Sequence, residues 1–462
     1  MGRTASRTGE VMDAIRDRIA GRTLTQGDRL PSIRAMAGML GVSPSTVVEA
    51  YDRLVAQGAI LSRPGSGFYV SAGVATPQVN DLSPQADRDI DPLWVSRQSL
   101  DAALETLKPG CGWLPPEWMP NAILRRAIRG LARADDAVLA DYGNSRGLRD
   151  LRQLLARRCT GEGLDVAPEQ VLLTTSGTQA IDLICRFLLK PGDTVLVDDP
   201  CYFNFRALLR AHQVRTVGVP YTPTGPDLAR FGEALSQERP RLYITNSAIH
   251  NPTGATLSAQ TAHKLLTLAS AHGLIIVEDD IFAEFEPELS PRLAILDGLV
   301  NVIRIGSFSK TLSASVRCGY IAARPDWIEA MVDLQVATHF GGASPVAGRL
   351  VFDSLMDSGY RRHVEALRRR LSDARRDAGA RLADLGVQTW VTPRGGFYLW
   401  TQLPDDRDAS DVAKRALAEG MILAPGNVFS VAQKASSFMR FNVGQMRDPR
   451  TYAVLARALT AR

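Results

Sequence analysis

Seven short apolar runs of strand length recur between residues 171 and 322, at 171–175, 194–198, 214–219, 242–245, 274–278, 302–305 and 318–322, with stretches of helical length between them. They are nearly continuous runs, many of them β-branched, not alternations of apolar with polar residues. A strand that is apolar on both sides is covered on both sides, and strands joined by helical crossovers run parallel. The pattern predicts an α/β body built on a mostly parallel sheet. Ligands of such sheets bind at the carboxyl ends of the strands, so the polar residues that close each run are the first candidates for function.

The chain is 462 residues long, enough for two to four domains. A pattern of a different kind occupies its first 70 residues. Val11, Ile15, Ile19 and Leu24 share one helical face that Gly27 and Asp28 interrupt. A second helix fits 32–40 and stops at Gly41. A third fits 44–57, with Ser43 as N-cap, Pro44 at the first helical position and Gly58 ending it. Residues 59–61 and 68–70 flank the turn-rich RPGSG and predict a hairpin. Three helices and a hairpin outline a winged helix-turn-helix. This stretch holds nine arginines, no lysine and six acids, a net +3 out of +5 for the whole chain. A phosphate-facing surface is expected where positive charge concentrates.

Residues 71–95, rich in Pro, Asp, Gln and Ser, predict a linker tied down near Leu93 and Trp94. The domains expected are 1–72, a linker 73–95, and 96–462. The last hundred residues predict a smaller α+β domain, with a long Arg-rich helix over 360–385 and strands near 396–400 and 439–443. The basic face of that helix reads as solvated surface. Five scattered cysteines form no CxxC pair, so neither a disulfide framework nor a metal site is predicted. No apolar stretch reaches membrane-helix length and Met1 to Glu10 is polar, so a cytoplasmic location is expected.

Residues 9–70, with LPSIR, GVSPSTV and RPGSG, resemble the winged helix-turn-helix of GntR-type bacterial regulators. Short hydroxyl side chains at the start of a helix suit the major groove, where free backbone N–H groups also face phosphate. Ser43, Ser45 and Thr46 stand there. Arg34 on the preceding helix is placed to reach a phosphate or a base, and Arg63 with Gly65 to bring the wing to the minor groove. Relatives often carry basic residues where this chain has Pro44 and Val48, which leaves base readout to Ser45, Thr46 and Arg34.

In the body, Ser176-Gly177-Thr178 opens a helix after one strand and Asn251-Pro252-Thr253-Gly254 follows another. Glu278-Asp279-Asp280 ends a third, and Ser307-Phe308-Ser309-Lys310 a fourth, with Arg317 seven residues on. In that order they resemble the site of a fold-type I, class I aminotransferase dependent on pyridoxal 5'-phosphate, and the resemblance runs through 96–462. It implies Lys310 as the Schiff-base lysine, Asp279 as partner of the pyridine nitrogen, Asn251 as donor to the phenolic oxygen and Tyr202 stacked on the ring. It implies Ser176, Gly177, Thr178, Ser307 and Arg317 at the phosphate, with Tyr142 reaching it from the neighbouring subunit. Arg440 is implied as the grip on a substrate carboxylate. The family's second donor, a tyrosine two or three residues past the aspartate, is replaced here by Ile281 and Phe282, which weakens the case for efficient transamination.

The two halves together resemble the MocR subfamily of GntR regulators. That resemblance implies a pyridoxal 5'-phosphate-dependent regulator of transcription that binds operator DNA as a head-to-tail, domain-swapped homodimer. An amino acid or amine effector would be sensed by displacing Lys310 to form an external aldimine. The alternative is an active aminotransferase with an appended DNA-binding head.

Overall fold

The computed structural model describes residues 6–20, 23–24, 27–71, 92–340 and 342–460. It divides into two compact units, Met1–Asp87 and Arg88–Arg462.

The first unit contains the three helices, Arg7–Ala20, Ile33–Leu40 and Pro44–Ala56, and the antiparallel hairpin of β1 (Ile60–Arg63) and β2 (Gly67–Val70). Its core is Val11, Ile15, Val47, Tyr51, Leu54 and Ile60, all fully buried. Leu24 lies beyond the first helix yet still packs on this core. Ser32 and Ser43 cap the second and third helices by accepting from Ala35 N and Thr46 N. Gly41 stops the second helix in a left-handed conformation, φ 63°, that residues with a Cβ adopt only at a cost.

The second unit is centred on one sheet. Its strands are β3 (Val171–Thr174), β4 (Thr194–Asp199), β5 (Arg215–Thr222), β6 (Gly225–Pro226), β7 (Leu242–Thr245), β8 (Ile275–Asp279), β9 (Val302–Ser307) and β10 (Gly319–Ala322). They lie in the order β3-β10-β9-β8-β7-β4-β5-β6. The β5-β4-β7-β8-β9 ladder is parallel throughout, and β10 runs antiparallel to both its neighbours. All seven expected strands are present. Val171, Leu173, Leu196 and Ile276 join one helix-covered core, while Leu172, Val195, Val197 and Val277 join the other. Burial on both faces is why these strands read as unbroken apolar runs.

The smaller sheet has the antiparallel order β11-β12-β14-β13, made of β11 (Gln388–Thr389), β12 (Tyr398–Gln402), β13 (Ala424–Pro425) and β14 (Phe438–Asn442). The long helix covers Gly359–Asp384. Leu114 and Trp118 also belong to this smaller core, so the domain draws on the chain before the large sheet as well as on the last hundred residues. The expected linker lies largely outside the described residues. Its final part is helical: Pro92–Asp101 straddles the boundary expected at 95, because Trp94 and Val95 are buried in a cluster with Phe203 and Trp400. Leu93, half exposed, takes no part in that anchor.

Candidate functional site

Five strands of the large sheet deliver the expected residues to one edge. Gly319 pairs with both Thr174 and Ser307, which brings the Ser176-Gly177 turn beside Ser307. A Cβ on Gly319 would lie 2.9 Å from the Ser176 carbonyl carbon, so only glycine lets the strands close there. A Cβ on Gly177 would meet Ile281 at 3.6 Å and Ser307 at 3.8 Å. The helix Gly177–Leu188 starts at this point, capped by Ser176 on Gln179 N, and its free N–H groups suit a phosphate. Thr178 is exposed in the first turn. The Ser176 oxygen accepts the cap bond, which leaves its O–H to donate to an anion.

The EDD triplet separates into three roles. Glu278 accepts from Leu293 N, Ala294 N and Ser247 Oγ. Asp280 accepts from Arg292 Nε at 2.7 Å and Arg304 Nη2 at 2.6 Å, all three buried. Asp279, like Glu278, has no cation bonded to it, but it accepts far less: its Oδ1 takes Ile281 N at 3.2 Å. Burial raises its carboxyl to about 7, against the lowering by Ile281 N and Asn246. A buried carboxylate so poorly discharged suits a ring N–H⁺.

Lys310 is partly buried, and its Nζ donates to the Gly112 carbonyl at 2.7 Å. Burial first, then the Arg440 guanidinium, push its amine down to about 8; Cys111 and Asp279 act upward and Arg317 downward. An amine in that range is available as a nucleophile near neutral pH. Arg317 is exposed and holds a left-handed φ of 55°. Tyr202 is drawn into the same field: burial raises its phenol to about 12, with Arg440 lowering and Asp279 raising.

Arg440 is fully buried, on β14 opposite Trp400 and Ala424. Its Nη1 donates to Asn251 Oδ1 at 3.1 Å and its Nη2 to the Gly110 carbonyl at 2.8 Å, while Nε has no partner. Tyr398, Phe429 and Phe203 surround its guanidinium at 4.2, 4.8 and 5.7 Å. A guanidinium with five N–H donors and two engaged keeps enough for a carboxylate. The residues present therefore fit a phosphorylated pyridine aldehyde: a helix N-terminus, an undischarged Asp279, a depressed Lys310 and a buried Arg440 with an orphan N–H.

Tyr142 is not part of this cluster. It is 74% exposed, with its ring edge-on to Phe340 at 4.9 Å. Sequence reasoning passed over residues 110–113 and Tyr398. Gly110, Gly112 and Trp113 act through main-chain carbonyls, which accept from Arg440, Lys310 and Asn442. The only signal was the glycine-rich PGCGW itself. A Cβ on Gly110 would lie 2.4 Å from the Leu423 carbonyl carbon, so that glycine is required by close approach.

In the head, Ser43 Oγ shares hydrogen bonds of 2.8 Å with both Ser45 Oγ and Thr46 Oγ1 besides capping Thr46 N. Ser43 thus caps the helix while remaining exposed. Arg34 is exposed. Arg63 stacks on Tyr69 at 4.6 Å, and Gly65 turns the wing at φ 71°. Arg29, which was not expected, lies against the wing: its Nε is 3.4 Å from where a Gly67 Cβ would stand.

Residues 114–459 match the model of the aminotransferase class I and II family. The chain belongs to that family. Residues 7–70 match the bacterial regulatory proteins of the GntR family, so this class I and II aminotransferase body carries a GntR head, the architecture of a MocR-like transcriptional regulator. The chain is 29% identical over 443 residues to YdcR of Escherichia coli, an uncharacterized HTH-type transcriptional regulator, with 94% of each chain covered. It is 31% identical over 339 residues to the 2-aminoadipate transaminase of Thermus thermophilus, covering 70% of this chain and 83% of the other. LysN, the α-aminoadipate aminotransferase of Thermus thermophilus, was solved with N-(5'-phosphopyridoxyl)-L-leucine. It superposes with a TM-score of 0.71 at 28% identity, over 79% of this chain and 94% of that one. No helix among the described residues is long and apolar enough to cross a membrane.

Proposed function

We propose that this regulator binds pyridoxal 5'-phosphate in its body and senses an amino acid or amine there, changing how its head holds operator DNA. The observation that carries the reading is geometric: a buried Asp279 with no bonded cation, Lys310 Nζ on the Gly112 carbonyl, and a buried Arg440 that reaches Asn251 and keeps its Nε unpartnered. The depressed Lys310 amine is in accord. The cofactor supplies an aldehyde and an electron-accepting ring when bound. Asp279 pairs with its ring nitrogen, Asn251 donates to its phenolic oxygen and Tyr202 packs on its face. Gly177, Thr178, Ser307 and Arg317 take the phosphate, with Ser176 holding the helix that presents it. Arg440 grips the effector's carboxylate while the effector's amine competes with that of Lys310.

The exposed Tyr142 and Phe340 support a head-to-tail homodimer in which Tyr142 completes the partner's phosphate site. Arg34, Ser45, Thr46, Arg63 and Gly65 are the DNA contacts, and a DNA-binding protein of this kind works in the cytoplasm. The full-length protein tests the reading. Amino acids are screened for a change in cofactor absorption, and operator affinity is measured with those that give one. Operator affinity should respond in the wild type and not in Lys310→Ala. A spectral change with unaltered DNA binding, or sustained conversion of an amine donor and a keto-acid acceptor, would favour the enzyme reading instead.

A further inference from the structure

Tyr398 brings a phenol into the amine site. β12 presents it opposite Asn442, its ring lies 4.2 Å under the Arg440 guanidinium, and its Oη donates to the Gly112 carbonyl at 3.3 Å. That carbonyl is the one Lys310 Nζ occupies at 2.7 Å. Two donors therefore share one oxygen. The lysine holds the short bond and the tyrosine a long one, beyond the usual range for a hydroxyl. Phe282 packs edge-on to the same ring at 5.7 Å, so the phenol absent at 282 is matched by one at 398 beside it.

A carbonyl has two acceptor lone pairs, Gly112 is partly buried, and leaving its oxygen with no protein donor carries a cost. To engage an aldehyde, the Lys310 amine must turn away from Gly112. With Tyr398 present the carbonyl keeps a donor, and its bond is free to shorten once the lysine has gone. We propose that Tyr398 is a positioning residue for Lys310, keeping the Gly112 carbonyl paired so that the amine is released toward the cofactor at little cost. The inference rests on the proposed binding of pyridoxal 5'-phosphate.

The consequence is a coupling between two side chains, measurable as cofactor affinity. Pyridoxal 5'-phosphate is titrated into cofactor-free wild type, Tyr398→Phe, Lys310→Ala and the double variant, and binding is read by equilibrium dialysis. Phenylalanine keeps the ring and its packing under Arg440. Tyr398→Phe should weaken binding roughly fivefold where Lys310 is present, the worth of one hydrogen bond. It should have no effect in the Lys310→Ala background, where Gly112 has the same partners before and after binding. Equal losses in both backgrounds would overturn the inference, since Tyr398 would then touch the cofactor or merely pack. So would an unchanged affinity in Tyr398→Phe alone. No uptake by the wild type would overturn the proposed function and this inference with it, an outcome distinct from the other two.

Discussion

Replacing Lys310 with methionine should make the cofactor-free protein more stable, and only below about pH 10. The amine falls from an ordinary 10.5 to about 8, chiefly through burial and then Arg440. A depressed amine means that the fold holds the charged form at a cost. At about 1.4 kcal/mol per pH unit that cost is about 3 kcal/mol as an upper bound. The side chain is only partly buried, which screens the cost, and methionine forfeits the Gly112 hydrogen bond, worth about 1 kcal/mol. The net expected gain is about 1–2 kcal/mol.

The sign with pH follows from proton counts. Below pH 8 folded and unfolded chains are both protonated at this lysine, and the full cost is present. Between pH 8 and 10.5 the unfolded chain binds more protons, so wild-type stability rises. Above 10.5 both forms are neutral and the cost is gone. Urea denaturation of wild type and Lys310→Met, cofactor-free, at pH 7 and pH 10.5 checks this. Met should raise the midpoint at pH 7 and not at pH 10.5. A variant equally or less stable at pH 7, or one whose gain is the same at both pH values, would refute the reasoning.

Three further outcomes are expected. Gly110→Ala should lower stability by about 1–3 kcal/mol through overpacking against the Leu423 backbone and should weaken cofactor uptake, read by urea denaturation and dialysis. Ser43→Ala should cost about 1 kcal/mol as a lost N-cap and lower operator affinity through the helix, whereas Arg34→Ala should leave stability unchanged and lower affinity directly; thermal melts with salt-dependent DNA titrations separate them. Phe282→Tyr should lower the pH midpoint of the cofactor's absorption change in a spectral titration, because a second donor would favour a charged phenolic oxygen.

The sheet was legible because its strands are covered on both faces, and burial writes itself as apolar runs. The two-residue strands β6, β11 and β13 carry no such signal, being set by what their neighbours need. Asp279, Lys310, Arg440 and Asn251 were legible because their side chains do the work and stand in recognisable company. Gly110 and Gly112 were not, since a carbonyl oxygen is identical in every residue and only the fold aims it. Ser43 shows a different limit: a hydroxyl at a helix start reads equally as a cap or as a DNA contact, and the structure displays the cap. That Trp94 is an anchor was legible from a lone tryptophan in polar company; its partner Phe203, over a hundred residues away, was not.

The stretch from Gly110 to Trp113 is also a matter of plumbing. The chain from the head enters the body as the helix Pro92–Asp101 and within a dozen residues lays its own carbonyls against Arg440 and Lys310. Between that helix and those carbonyls the backbone is itself held to the smaller domain, Leu107 N on the Gly420 carbonyl and Gly110 N on that of Ile422. A displacement of the Gly112 carbonyl therefore meets that pairing with residues 420–422 before it meets the helix. Lengthening the chain between helix and pairing would leave both intact and put slack in the line.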